Sequence, residues 1–468
     1  MQTVAVIGAG WAGCAAAVEL AGKGCQVTLF EAARTLGGRA RRVEIGGRTL
    51  DNGQHILLGA YSATLRMLQR VGIDSGQALL RLPLQMRYPP GPGGMDFVAP
   101  RLPAPLHLVG ALLGSRGLER SDKMSLARFS STARWMGWRL NQDCSVAQLL
   151  QRWDQSPRMI ALLWRPLCLA ALNTPLECAS ANVFLKVLQD SLGARRAASD
   201  MLLPRIDLSA LFPERAAAFI ERRGGAVNTG TRVTRLQAQT DGRWRIDIGA
   251  QNQCAKDYDG IVLATTCGQA ATLLDGIDVH SAVMPQAPLA TTIAQLNALD
   301  MEAITTCYLQ YDADVRLEHP FFALIDTPDQ GHWGQFVFDR GQLDGASNGN
   351  SNGLLAVVVS ASGACASLDQ AQLAQAIAQQ LAAAFQRPEL AQPHWVQVIS
   401  EKRATFACTP GLERPHNATG WPGLALAGDY TAGDYPATIE AAVRSGVQAA
   451  GALWKNELQI ADCELRIN

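Results

Sequence analysis

No stretch of this 468-residue chain reaches the ~18 uninterrupted apolar residues that a membrane-spanning helix needs. A transmembrane helix is therefore not expected. Net charge is also missing: 41 Lys and Arg balance 41 Asp and Glu, which argues against general nucleic-acid binding. Eleven cysteines are present, an odd and scattered set without C-x-x-C or Cys/His ligand spacing, so neither a disulfide framework nor a zinc site is expected. They read as buried or idle thiols in a reducing cytoplasm. A secretory leader is not expected, since the first apolar run itself reads as a strand. Charge is sparse at 18% against 48% hydrophobic residues, the balance of a folded rather than a disordered protein. The length exceeds one ordinary core, so two or three domains are expected.

What is present begins at once. Gly8, Gly10 and Gly13 form G-x-G-x-x-G between a buried strand, Val4–Ile7, and a small-residue helix, Ala12–Lys23, that Gly24 stops. A second strand, Gln26–Phe30, follows and ends at Glu31. In such a βαβ unit the first glycine makes the tight turn. The second lets a pyrophosphate approach the backbone, and the third lets helix and strand pack closely. The helix N-terminus offers free N–H groups to phosphate, and an acid at the position of Glu31 accepts hydrogen bonds from a ribose. This strand–loop–helix–strand–Glu order predicts dinucleotide binding. It does not separate FAD from NAD.

Further along, Leu36-Gly37-Gly38-Arg39 turns the chain back toward the bound ligand, with Arg39 able to meet a phosphate. Arg42–Ile45 and Arg48–Asp51 flank Gly46-Gly47 as a hairpin. Residues 61–72 read as a helix. Strands follow over Leu84–Tyr88 and Asp96–Ala99, then a Leu- and Arg-rich helical region to about residue 200. Nucleotide-domain character returns over 205–265. Strands are expected at Cys307–Tyr311, Gln335–Phe338 and Leu354–Ser360, an exposed polar loop at Gly345–Gly353 and a helix at Leu368–Phe385. The interleaving predicts a discontinuous cofactor domain (1–83, 205–270 and 395–468) and a substrate domain from the insertions (84–204 and 271–394). The cleft between them is the default site.

The C-terminal segment distinguishes the cofactor. The strand Leu424–Ala427 leads to Gly428-Asp429-Tyr430, and Pro436 to Gly446 opens a helix over 436–452, with Pro436 at a first-turn position. A helix N-terminus aimed at a flavin stabilises negative charge on its reduced ring. Together, the glycine loop, Leu36–Arg39, Gly428-Asp429 and the Ala437-Thr438-Ile439-Glu440 helix resemble the FAD-dependent amine-oxidase and phytoene-desaturase superfamily. More narrowly, Asp51-Asn52-Gly53-Gln54-His55-Ile56-Leu57-Leu58-Gly59-Ala60-Tyr61 resembles the hydroxysqualene dehydroxylases of bacterial squalene biosynthesis. Ala104-Pro105-Leu106-His107-Leu108 and the run from Tyr435 to Gly446 fit the same family, and the resemblance spans nearly the whole chain.

That resemblance implies an α/β fold: a discontinuous Rossmann-like FAD-binding domain with an inserted α+β substrate domain. It puts Gly8, Gly10, Ala12, Gly13, Glu31, Gly38 and Arg39 around the ADP half of FAD, with the Val233 backbone at the adenine. Gln54 and His55 lie beside the flavin ring, and Gly428, Asp429, Thr438 and Ile439 make its C-terminal contacts. No lysine matches the one that many superfamily oxidases place near the flavin, which favours a reductive role.

The implied reaction is the reduction of hydroxysqualene, an allylic C30 alcohol, to squalene. Hydroxide leaves poorly, so a proton donor is needed; Asp434, Tyr435 and His55 are the candidates. The rivals are a carotenoid-type desaturase, an amine oxidase, and a non-catalytic lipid-binding escort. An unidentified electron donor must reduce the flavin. Residues 101–140 carry seven Lys/Arg against Glu119 and Asp122. The apolar run Leu106–Leu113 precedes Arg116, Arg120 and Lys123, so 104–140 reads either as a membrane-facing segment or as a core helix with a solvated basic face. The expected location is the cytoplasm, at the inner face of its membrane in the first case.

Overall fold

The computed structural model of the protein describes residues 2–91, 93–249, 253–254, 256–279, 287–343 and 351–464. Its first sheet has five parallel strands, in the order Ala226–Asn228, Gln26–Phe30, Thr3–Ile7, Gly260–Leu263 and Leu424–Leu426. Val4, Ala5 and Val6 are fully buried, as expected for a parallel sheet covered on both faces. The chain moves from Thr3–Ile7 to one neighbour first and returns later to the other, which makes a switch point and a crevice at the carboxyl ends of the strands.

Two helices cross on one face of this sheet. Trp11–Gly22 is rich in alanine, with Ala15, Ala16 and Ala17 fully buried. The C-terminal helix Ile439–Glu464 lies against it. Their approach is so close that a Cβ on Gly446 would fall on the carbonyl oxygen of Ala12. A smaller sheet of Val233–Ala238, Trp244–Ile248, Gln253–Cys254 and Asp278–Val279 flanks the first.

A second five-stranded sheet runs Phe321–Ala323, Phe336–Asp339, Leu354–Val359, Met301–Gln310, Trp395–Phe406 and is antiparallel. Side chains alternate across it. Cys307, Leu309, Leu355 and Val357 pack beneath the helix Gln370–Phe385 through Leu373, Ile377 and Leu381. Tyr308, Ala356, Phe336 and Phe338 belong to the larger core on the other side. That second face looks toward the first sheet and supplies one wall of the site.

The region expected to be helical holds, among others, Leu106–Gly114, Arg120–Trp135, Val146–Arg152, Arg165–Leu172 and Ala181–Ser191. It has its own aromatic centre, with Phe129 and Trp164 ring centroids 4.1 Å apart. Capping boxes start two of its helices, Glu119 with Asp122 and Ser145 with Gln148, each satisfying first-turn N–H groups.

Three expectations need correction. The strand read as Cys307–Tyr311 begins at Met301, with a register shift between Glu302 and Ile304 that breaks the alternation seen in sequence. Trp395–Phe406, assigned from sequence to the cofactor domain, pairs along its length with Met301–Gln310 in the second sheet. The final helix starts at Ile439 rather than Pro436, because the Thr438 hydroxyl accepts from the Ala441 N–H and acts as the cap. Of the loop expected at 345–353, residues 345–350 lie outside the described residues.

Candidate functional site

The nucleotide end is built from backbone. Gly8 turns at φ +102° and donates its N–H to the Phe30 carbonyl at 2.8 Å, tying the loop to the second strand. A Cβ on Gly13 would land on the Gly8 carbonyl oxygen, so helix and loop touch as the fingerprint requires. The helix Trp11–Gly22 has no side-chain cap and no acid in its first turn, leaving its N–H groups and positive dipole end to an external anion. The turn at Gly37-Gly38 lies directly against this loop: a Cβ on Gly38 would sit 3.1 Å from the Gly10 Cα. Ala12 is buried. Glu31 is held by the N–H groups of Ala9 at 2.8 Å and Ala33 at 2.9 Å. The Thr231 N–H donates to the Glu31 carbonyl at 2.8 Å, which brings the chain entering Val233 alongside. Free helix N–H groups, a carboxylate and an uncluttered glycine surface suit the ADP half of a dinucleotide.

Arg39 does not point its charge at a free anion site. Its Nη2 lies 2.5 Å from Asp429 Oδ1, and its Nη1 donates to the Ala404 carbonyl at 2.6 Å. It thereby joins the Gly-Gly turn, the strand Trp395–Phe406 and the Gly-Asp loop. Burial works against its charge, but Asp429 first and then Cys267 and Glu401 outweigh that, so its pKa is raised. Beside Asp429, a cavity is lined by Arg39, Cys267 and Tyr430 from segments that follow first-sheet strands, and by Met301 and Phe406 from the second sheet. Arg403 also lines it and no lysine does.

The loop carrying Gly428 and Asp429 is fixed from behind. The Gly428 N–H donates to Ser445 Oγ at 2.9 Å, Thr431 Oγ1 lies 2.7 Å from the same oxygen, and Asn417 donates to it at 2.9 Å. Arg414 bonds the carbonyls of Asp429, Tyr435 and Gly433. None of these clamps carried a role in the sequence reading. Ser445 sat unassigned in a quoted motif, and Asn417 and Arg414 gave no local signal.

The Asp51–His55 run ties the hairpin Arg42–Asp51 and the Gly-Gly turn to the second sheet. Tyr308 Oη donates to the Asp51 carbonyl at 2.9 Å, and Arg340 donates to Gln54 Oε1 at 2.9 Å. Asn52 Nδ2 donates to the Arg39 carbonyl at 3.0 Å and to Glu401 at 3.3 Å. His55 Nδ1 sits 2.7 Å from the Gly53 carbonyl. The proton is therefore on Nδ1, and Nε2 is left as an acceptor. Burial and then the charge of Arg39 push its pKa down, against the Gly53 bond.

The three acid candidates do not converge. His55 is held neutral. Asp434 is solvent-exposed. Tyr435 is half-buried; its hydroxyl donates to Asp190, and its ring lies 4.6 Å under the Arg444 guanidinium. Burial first, then Asp190, raises the Tyr435 pKa above the ordinary phenol value. Glu440, part of the quoted helix motif, turns away from the site. It is fully buried and takes the Ala63 and Thr64 N–H groups, at 3.0 and 2.9 Å, where the helix Ser62–Arg70 begins. Thr438 and Ile439, at the cap and first position of the last helix, are both partly exposed.

The family model for flavin containing amine oxidoreductases matches residues 11–453. A protein of Sinorhizobium fredii called hydroxysqualene dehydroxylase is 27% identical, over 96% of this chain and 97% of its own. One of the same name from Rhodopseudomonas palustris is 29% identical over the same shares. A zeta-carotene desaturase of Synechocystis is 24% identical over 98% of each chain. Among solved structures, a putrescine oxidase variant superposes with a TM-score of 0.70 at 14% identity, over 97% of this chain and 99% of that one.

Proposed function

Because the chain belongs to the flavin containing amine oxidoreductase family and is an FAD-dependent oxidoreductase, we propose that it reduces hydroxysqualene to squalene. The observation that carries this reading is the end-to-end similarity to proteins named for that reaction. FAD, when bound, supplies the hydride chemistry. The rest falls to the chain. The helix N-terminus behind Gly10 and Gly13 would hold the pyrophosphate, Glu31 the ribose and the Val233 backbone the adenine. Asp429, Thr438 and Ile439 would hold the flavin half from the C-terminal side, together with Gln54 and His55. These residues belong to a cofactor domain of three segments, and the insertions supply the substrate side.

Breaking the C–O bond of an allylic alcohol leaves a positive charge spread over several carbons, so the site must exclude water that would recapture it. The neutral Nε2 of His55 offers a lone pair and no proton. Tyr435 keeps an O–H and is the donor in this reading; that O–H, now given to Asp190, must turn to the substrate oxygen to deliver its proton. A phenol made less acidic by that carboxylate remains a far stronger acid than the water formed from a departing hydroxide. The electron donor is a separate reductant, and the workplace is the cytoplasmic face of the membrane, where such a substrate dissolves.

Pre-reduced protein is incubated anaerobically with hydroxysqualene and the extract analysed by mass spectrometry. Squalene is the expected product. Unchanged alcohol, with flavin content verified, rejects the reading. A second reading, desaturation of a carotenoid-type polyene, has the full-length similarity to the Synechocystis desaturase in its favour. It predicts that a polyene bleaches the oxidised flavin instead.

A further inference from the structure

Eight large hydrophobic side chains stand exposed among the described residues, and six of them fall between positions 102 and 135: Leu102, Leu106, Val109, Leu113, Met124 and Trp135. Leu106, Val109 and Leu113 follow i, i+3, i+7 spacing along the helix Leu106–Gly114, so they share one face. Pro100 and Leu102 lie against the same helix, where a Cβ on Gly110 would touch both. On the helix Arg120–Trp135, Met124 and Trp135 are eleven residues apart, about three turns, and again share a face. The two helices are joined where Lys123 Nζ donates to the carbonyls of Leu113 and Ser115, at 3.1 and 3.0 Å. Exposure is extreme at Trp135, 87%, and Leu113, 71%.

The charge around these side chains is mostly positive, with the exposed Asp154 paired to Arg128 at 3.0 Å. Arg101, Arg116, Arg120, Arg134 and Arg139 are exposed and form no ion pair among the described residues. Glu119 and Asp122, the only acids in 101–140, are occupied in the capping box. A second protein surface would face five unpaired guanidinium groups around a greasy centre. An anionic bilayer matches both, taking the apolar side chains below its headgroups and the arginines among its phosphates. Tryptophan at the rim suits the headgroup level.

We propose that the helices Leu106–Gly114 and Arg120–Trp135 form a docking surface for the anionic face of a lipid bilayer. No helix among the described residues is long and apolar enough to cross a membrane, so this contact is peripheral. It goes beyond the proposed reaction; an oily substrate gives the contact a purpose, but the surface is argued from exposure and charge alone.

The test is flotation of the flavin-loaded full chain with vesicles of phosphatidylcholine alone and of phosphatidylcholine with phosphatidylglycerol. Binding to the anionic vesicles at low salt is expected, weaker on neutral ones and weaker at high salt. Leu106→Asp with Leu113→Asp should abolish it, and each of Arg116→Gln and Arg120→Gln should weaken it about fivefold. These side chains are exposed, so unchanged flavin content and melting temperature are expected in every variant. Absence of wild-type binding at low salt overturns the proposal, as does binding that the paired aspartates leave intact. Self-association abolished by those aspartates, without vesicle binding, also overturns it, since a second copy then covers the face. Squalene formation in detergent micelles needs no bilayer, so failure of the docking and failure of the reaction are read separately.

Discussion

Arg39 and Asp429 stand 390 positions apart in sequence and 2.5 Å apart in space. The pair closes the chain around the cavity between the Gly-Asp loop and the second sheet, with Asp429 nearly buried at 8% side-chain exposure and Arg39 at 32%. Asp429→Ala leaves a guanidinium facing an empty position and frees the Gly-Asp loop from the Gly-Gly turn. We expect about 10-fold to 100-fold weaker flavin retention, the scale of one charge-assisted hydrogen bond of about 1.5–3 kcal/mol. Absorbance of the purified variant after dialysis measures it. Arg39→Ala should act the same way, and the double variant should cost less than the two singles combined.

Glu440 is a stability element. It is a fully buried carboxylate that accepts from two N–H groups at the start of Ser62–Arg70, from the Thr64 hydroxyl at 2.8 Å and from Arg444 at 2.7 Å. Glu440→Ala orphans all four donors, and we expect a loss of about 3–5 kcal/mol. Glu440→Gln keeps the shape but turns an NH2 toward donors, so it should fall between. Denaturation midpoints check the order.

Acid should destabilise the fold below pH of about 6.5, the ordinary histidine value. Burial lowers the pKa of His55 and of His107, aided by Arg39 at the first and by Arg196 and Arg134 at the second, where Asp200 opposes. The unfolded chain therefore takes up protons first as pH falls. The stability is complete above the unfolded pKa and is lost as pH drops from there toward the lower folded values. His107 is also fully buried with both ring nitrogens unbonded among the described residues. His107→Leu should gain about 1–3 kcal/mol at neutral pH and flatten the acid limb. A melting-temperature series across about pH 5–8, the range of imidazole titration, reads both effects.

How much of this was legible in sequence depends on distance along the chain. The glycine loop, the Glu31 strand end and the Gly46-Gly47 hairpin are local, and the pattern of a few neighbours determines them. Pairings across the chain left no such mark. The bond from Tyr308 to Asp51 spans 257 positions and that from Thr64 to Glu440 spans 376. The strand Trp395–Phe406 alternates weakly because much of it is only partly buried, and nothing local announces that its partner is Met301–Gln310. The position of Arg39 fits a phosphate contact, yet its acceptor, Asp429, lies near the far end of the sequence.

Tyr435→Phe separates chemistry from cofactor binding. The hydroxyl bonds Asp190 and no residue of the glycine loops, so flavin content should be unchanged. Turnover should fall about 10²-fold or more, the usual contribution of a positioned acid. Full turnover in this variant moves the proton donor elsewhere.

The most direct measurement is anaerobic rapid mixing of the fully reduced holoprotein with hydroxysqualene, following flavin absorbance and squalene together. The account predicts that the yellow colour returns as squalene appears, in equal amounts. Persistent reduced flavin in the presence of the alcohol, or bleaching of the oxidised protein by a polyene instead, contradicts it.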